Sequence, residues 1–363
     1  MGKTLMPGRV VIFGWANSVH IQRWATGLTE RGFDIRLISL GGDPIEGVET
    51  INLPRTGLLS YFTQARRAVA LAKEFGPDII HVHYAGGFGY WGTRCGFAPL
   101  IVSVWGSDVV DLPRNLLFRY LIKRTLKRAD RITATSDFLK RVSLELVPEI
   151  EDKIDVIPFG VTVPENPSPL STGPVRLCFI KMHRRKYGPE ILLKAFAHAR
   201  SQIPDLCLTM AGEGEMTPEL KNLSSQLGVA DSVKFVGFVP NDQIYSLLQE
   251  HHIMVMPSVM ESESFGVAVL EASACGRPVI ASRVGGVPEV LRHGETGLLV
   301  PPGDVDALTE AIVALASDRE KCRAMGEAGR ELVQTNYIWE RSLDLMSILY
   351  KRSIDGKQKN PPI

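Results

Sequence analysis

The chain has 363 residues, 45% apolar and 22% charged, with a formal net charge of +1. That length fits two domains of middling size, the composition excludes disordered and fibrous classes, and the near-neutral balance gives no global pull toward nucleic acid. Five cysteines (Cys95, Cys178, Cys207, Cys275, Cys322) are odd in number and form no Cys-x-x-Cys pair, which argues against a disulfide framework or zinc knuckle and for a reducing compartment.

The first segment, MGKTLMPGRVVIFGW, carries a short apolar run from Val10 to Gly14 and reads as a first strand rather than a signal peptide. No stretch approaches the roughly 20 apolar residues that span a bilayer, so the expected setting is the cytoplasm, with peripheral contact at the inner membrane face left open. Apolar runs then alternate with amphipathic helical segments, the pattern of parallel sheets wrapped by helices. In the first half the strand candidates are RVVIFG, DIRLISL, DIIHVHY, LIVSVWG, RITATS and KIDVIPF, with helices such as Ser18–Arg31 and Thr63–Phe75 between them. The stretch 157-IPFGVTVPENPSPLSTGPV-175 crowds five prolines together and reads as an interdomain linker.

The alternation restarts with VRLCFIK, LCLTMAG, VKFVGF, IMVMPS, PVIAS and GLLVP. The expected organisation is an α/β chain: a Rossmann-like domain over 1–165, a linker over 166–174 and a second Rossmann-like domain over 175–336. A helix and tail over 337–363 would follow, with packing back on the first domain as one option. Two such doubly wound domains bind ligands at the carboxyl ends of their strands, so a cleft between the two sheets is the expected site.

The segment 261-ESESFGVAVLEASACGRPVIAS-282 places Glu263 and Glu271 eight positions apart around Gly266, within an otherwise apolar run. A glycine at a helix start lets a ligand approach the backbone, and the unpaired N–H groups and dipole there favour an anion such as phosphate. A buried glutamate needs hydrogen-bond donors, and sugar hydroxyls supply them. Taken alone, the pair also fits a loop carboxylate and a solvated helix face.

The wider region 236–308 resembles the signature of glycosyltransferase family 4, the retaining GT-B glycosyltransferases. Glu-Ser-Phe-Gly, Glu-Ala-Ser-Ala-Cys-Gly-Arg-Pro-Val-Ile, Gly-Gly-Val-Pro-Glu and Gly-Leu-Leu-Val occur in that family's order. The resemblance implies two Rossmann-like domains facing across a cleft, and hexosyl transfer (class EC 2.4) from a nucleoside-diphosphate sugar to a glycan, lipid-linked or small-molecule hydroxyl. It implies no cofactor, with a UDP-, GDP- or ADP-sugar as donor substrate. Glu263 would meet the donor sugar, the backbone at Phe265, Gly266 and Val267 its diphosphate, and Glu271 the ribose.

In 178-CFIKMHRRKYGPEILLKAF-196, Lys181 stands where the family pattern has an arginine. Lys186 is followed by Tyr-Gly where the pattern has glycine directly. Both lysines are expected on the diphosphate, and Arg184 and Arg185 crowd the same loop and could exchange roles with them. Gly14 and Asn17, after the first strand, resemble the turn that faces the donor phosphates. His20 and Trp24 read as packing residues. In 101-IVSVWGSDVV-110 the family's His-Gly becomes Trp105-Gly106, which leaves Asp108 as the candidate hydroxyl contact. His81 and His83 point to one face of their strand, as ligand-flanking or as structural residues.

Asp304-Val-Asp306 is the only Asp-x-Asp string, and it reads as a helix cap rather than a metal site. The segment 113-PRNLLFRYLIKRTLKRADR-131 has six basic residues and no acidic one up to Arg128. Arg119, Lys123, Arg124, Lys127 and Arg128 lie opposite a face made of Phe118, Leu121, Ile122, Thr125 and Ala129. Such a helix is either a solvated cationic face or a reversible contact with anionic membrane. A nucleotide-sugar epimerase on the same architecture and a non-catalytic nucleotide-sugar-binding subunit are the competing functional readings.

Overall fold

The computed structural model describes residues 8–359, with side chains through 356. It divides into two compact units. One runs to Pro158 and resumes at Glu340; the other is Phe159–Trp339. The first unit holds seven parallel strands: β1 (Arg9–Phe13), β2 (Asp34–Ser39), β3 (Glu49–Asn52), β4 (Ile79–His83), β5 (Leu100–Val104), β6 (Arg131–Ala134) and β7 (Ile154–Val156). Their order is β3-β2-β1-β4-β5-β6-β7. β4 and β5 are buried at every position, as parallel strands covered by helices on both faces must be.

The last helix, Trp339–Lys359, belongs to this first unit. Tyr350 is fully buried, with its hydroxyl 2.5 Å from His81 Nδ1 and its ring edge-on to Phe33 at 5.2 Å; Asp344 pairs with Arg31.

The second unit holds β8 (Arg176–Ile180), β9 (Cys207–Ala211), β10 (Val233–Gly237), β11 (Ile253–Met256), β12 (Val279–Ser282) and β13 (Gly297–Val300), all parallel. Their order is β10-β9-β8-β11-β12-β13. In each sheet the winding reverses beside the first strand, between β1 and β4 and between β8 and β11. Those reversals are the topological switch points where ligands of open α/β sheets bind.

Two features go beyond the sequence expectations. The proline-rich stretch 166–174 is not a free linker but trim on the second unit. Ser168 N donates to Gln249 Oε1 at 2.8 Å, Ser168 O accepts from Arg277 at 2.7 Å, and Ser171 lies 3.1 Å from His252 Nε2. Prolines report the absence of regular backbone bonding, not the absence of contacts, and the units change at Pro158 and again at Trp339. The short edge strand β3 also left no clear apolar alternation, because both its ends, Glu49 and Asn52, are exposed.

The five cysteines are all free. Asp304 caps the helix Val305–Ala316 by accepting from Ala307 N at 2.9 Å. Among the described residues no helix is long and apolar enough to cross a membrane.

Candidate functional site

Two chain segments meet at the second switch point. Lys181 follows β8 directly, and the loop 257–266 follows β11. Lys181 Nζ lies 2.9 Å from Glu263 Oε1, with the two side chains only 19% and 10% exposed. Ser258, itself buried, donates to Glu263 Oε2 at 3.3 Å. Burial alone would lower the Lys181 pKa, but the negative charge of Glu263, with contributions from Tyr187 and Glu271, outweighs it and holds the ammonium above its ordinary range. Glu271 therefore faces the same charge cluster from its half-buried place on the helix Val267–Ala274.

Gly266 precedes that helix at φ 86°, the left-handed region that favours glycine, and turns the loop into the helix. Val269 N donates back to Gly266 O at 2.9 Å, and the N–H groups ahead of it at the helix start carry the positive end of the helix dipole. Phe265 is 3% exposed, with its ring 6.3 Å from Phe159 and 6.0 Å from Tyr337. Its side chain thus anchors the loop in the core, and only its backbone can face a ligand.

The basic turn after β8 is tied to the same loop. Arg185–Tyr187 form one 3-10 turn, Lys186 O accepts from Val259 N at 2.9 Å, and Gly188 (φ 63°) ends the turn. A Cβ at Gly188 would sit 2.2 Å from Pro257 O, so glycine is what lets the turn and the loop touch. Lys181 and Lys186 both stand over the Tyr187 ring, at 5.2 and 4.8 Å from its centroid. Arg184 and Arg185 are exposed on the turn.

The structure thus brings together Lys181, Lys186, Glu263, Glu271 and the helix start at Gly266. Sequence reasoning missed Ser258, Tyr187 and Glu261. Glu261 Oε2 accepts from Gly285 N at 2.7 Å, while Glu263 O accepts from Gly286 N at 3.2 Å. Together these bonds brace the site loop against the turn that follows β12. The Gly285-Gly286 pair in the sequence was the available signal.

The first switch point differs. Gly14 ends β1 with Ile21 packed against it, and Asn17 is exposed. Asp108 is fully buried, and its oxygens accept from Ala85 N (2.9 Å), Trp105 N (3.0 Å) and Gly106 N (2.9 Å). Burial pushes its carboxyl up despite those donors. It staples the loops after β4 and β5 together, so the carboxylate expected to meet a sugar hydroxyl is engaged by three backbone donors.

His81 is fully buried between Tyr350 and Ser103, and burial pushes its pKa down to about 3. His83 stacks 4.0 Å from His81 and 4.9 Å from Trp105 and is likewise held neutral by burial. Trp24 is core, 2% exposed. A cavity of about 630 Å³ lies at the opposite edge of this sheet, where Arg128, Asp130, Arg131 and Arg352 line it. The facing charges lie at the second switch point, in the other unit from that cavity.

The basic helix runs Leu116–Arg128, capped by Asn115, whose side chain accepts from Leu117 N and Phe118 N. Ile122, Thr125 and Leu126 face inward. Arg119 and Arg124 are exposed, whereas Lys127 pairs with Glu149 at 2.8 Å and Arg128 donates to Thr93 O. Leu116, Leu117 and Tyr120 are exposed at 79, 60 and 61%, an apolar tip that the helical-face reading overlooked.

Residues 165–332 match the family described as Glycosyl transferases group 1, and residues 9–136 match Glycosyl transferase 4-like. A curated relative from Mycolicibacterium smegmatis is 31% identical over 320 residues, covering 81% of each chain; it is the GDP-mannose-dependent alpha-(1-6)-phosphatidylinositol monomannoside mannosyltransferase. The chain belongs to the group 1 glycosyltransferases.

Solved structures share this glycosyltransferase's fold. Sucrose-phosphate synthase from Thermosynechococcus elongatus superposes with a TM-score of 0.83 at 23% identity, covering 96% of this chain and 99% of its own. HepE of Anabaena, crystallised with UDP and glucose, gives 0.81 at 18% identity over 94 and 99%. The fold class is GT-B, two doubly wound Rossmann-like units. A group 1 glycosyltransferase takes a nucleotide sugar, and the cation, carboxylate and helix start at the second switch point are chemically suited to one.

Proposed function

We propose that this glycosyltransferase moves a hexosyl group from a UDP-, GDP- or ADP-sugar to an acceptor hydroxyl, with retention at the anomeric carbon and without a metal ion. The pathway served is the synthesis of cell-envelope or surface polysaccharide or glycolipid. The observation that carries the reading is the Lys181–Glu263 pair at the switch point, beside the helix start at Gly266. Support for the donor class comes from the relative named for GDP-mannose and from the HepE complex with UDP and glucose.

In this reading the donor diphosphate takes Lys181 over from Glu263, and the released carboxylate accepts hydroxyls of the sugar. Glu271 accepts from the ribose. The bond from the anomeric carbon to the β-phosphate oxygen breaks, and the acceptor oxygen bonds to that carbon on the same face. The acceptor proton passes to the leaving phosphate. Lys181, Lys186 and the first-turn N–H groups neutralise the charge that develops on that phosphate, the kind of preorganised stabilisation whose loss costs about 10²- to 10³-fold in turnover.

Thermal unfolding in the presence of UDP, GDP and ADP tests the donor site. One nucleotide at a hundred times its Kd should add about 2.7 kcal/mol of stability, and three flat responses would remove the reading. Product anomeric configuration by NMR and activity in EDTA test the other two parts. An inverted product rejects retention, and abolished activity rejects metal independence.

Reversible docking on anionic membrane through the Leu116–Arg128 helix belongs to the same proposal. It is supported by the exposed apolar tip beside Arg119, Lys123 and Arg124. Co-sedimentation with phosphatidylserine vesicles should fall on Arg119→Glu plus Arg124→Glu, and unchanged binding would reject it.

A further inference from the structure

Two of the places where this chain departs from the family pattern, Lys181 for arginine and the additional Tyr187, touch each other in space. Lys181 stands 5.2 Å and Lys186 4.8 Å from the centroid of the one Tyr187 ring. A lysine ammonium is a compact charge on a flexible stem and lacks the planar fork by which a guanidinium grips phosphate in a set direction. Two lysines near one ligand also repel each other. A ring held rigidly beneath both charges answers each difficulty, because its face attracts cations and restrains where they sit.

The ring is itself held. The partly buried Tyr187 side chain packs against the core of the second unit, and its backbone closes the 3-10 turn Arg185–Tyr187, with Tyr187 N donating to Arg184 O at 3.0 Å and Lys186 O accepting from Val259 N. Lys181 is restrained on its other side by Glu263. The order in space is therefore Lys186, Tyr187, Lys181, Glu263, a chain of contacts that joins the basic turn to the site loop.

We propose that Tyr187 is a positioning residue that holds Lys181 and Lys186 as one spaced pair for the donor diphosphate, in place of an arginine fork. The proposal rests on the nucleotide-sugar reading above, and its test separates the two. Titration calorimetry on the full chain uses UDP, GDP, ADP and the three matching nucleosides. If the unaltered protein binds none of the diphosphates, the site reading itself fails.

With the nucleotide that does bind, Tyr187→Leu should weaken the diphosphate about tenfold and leave the nucleoside within about twofold, since the ring acts only on the cations. Tyr187→Phe, which keeps the ring, should bind within about threefold of the unaltered protein. Adding Lys181→Arg to Tyr187→Leu should restore most of the loss by returning the fork. Should Tyr187→Leu fail to fold, Tyr187→Met, an unbranched chain of similar length, carries the same comparison. Undiminished diphosphate binding in the ring-less variants, equal losses for diphosphate and nucleoside, or Phe behaving as Leu would each overturn the proposal.

Discussion

At the ends of β8 and β11 the second unit gathers two lysines, two glutamates and a helix start. At the ends of β1 and β4 the first unit gathers a glycine, two neutral imidazoles and an indole, with its one buried carboxylate engaged by backbone N–H groups. Both edges come from the same strand order, wound about a reversal beside the first strand. The topology supplies a place for a ligand, and the side chains decide which ligand. On the proposed reading the paired charges at the second edge are exchanged for those of a diphosphate, whereas the first edge offers neutral imidazoles and a carboxylate engaged by backbone N–H groups.

Four experiments would break or sharpen that contrast. The largest effect is expected at the charged edge: Glu263→Ala and Lys186→Ala should each lower turnover about 10²- to 10³-fold while the circular dichroism of the fold is kept. Near-normal turnover in both would end the assignment. At the neutral edge the carboxylate should matter for stability instead. Asp108→Ala abandons three buried N–H donors, so urea unfolding should show a loss of about 3 kcal/mol, with nucleotide affinity in the folded fraction unchanged. A catalytic defect without destabilisation would make Asp108 a ligand contact after all.

The buried imidazoles give a pH signature. His81 titrates near 3 in the folded protein, below the ordinary histidine value of about 6.5 expected when unfolded. Between those values the unfolded chain binds the proton that the folded one refuses, so stability falls as pH is lowered through 6.5. By linkage this one group should remove about 2 kcal/mol between pH 7 and pH 5. Denaturant midpoints across that range, compared with His81→Gln, read the slope, and an unchanged slope in the variant would assign the pH dependence elsewhere. The smallest effect is expected at Glu271→Ala: nucleotide binding weaker by about tenfold, the worth of one charge-assisted hydrogen-bonding group, with little change in turnover at saturation.

Much of this was legible in the chain itself. Twelve of the thirteen strands announce themselves as apolar runs, because parallel strands are covered on both faces and need no polar side. Glu263, Gly266 and Glu271 could be named because a motif fixes their spacing along one loop and helix, and Lys186 because it stands in a second short motif, the basic turn after β8. The setting of Asp108 was not legible for a physical reason: a carboxylate followed by apolar residues looks the same in sequence whether it faces a ligand or caps backbone donors. Only the positions of Ala85 and Trp105 in space separate those cases.

The contacts of the proline-rich stretch 166–174 were not legible either, since what holds it is Gln249, His252 and Arg277, each more than seventy residues away. Sequence periodicity and local motifs determined the two doubly wound units, the family and the residues of one loop, because those depend on neighbours a few positions apart. The pairing of Lys181 with Glu263, the tyrosine beneath two lysines, the bracing by Glu261 and the return of the last helix to His81 were decided by the tertiary structure alone. Each joins segments that meet only once the sheets have formed, and charge, burial and hydrogen bonding act through that distance rather than along the chain.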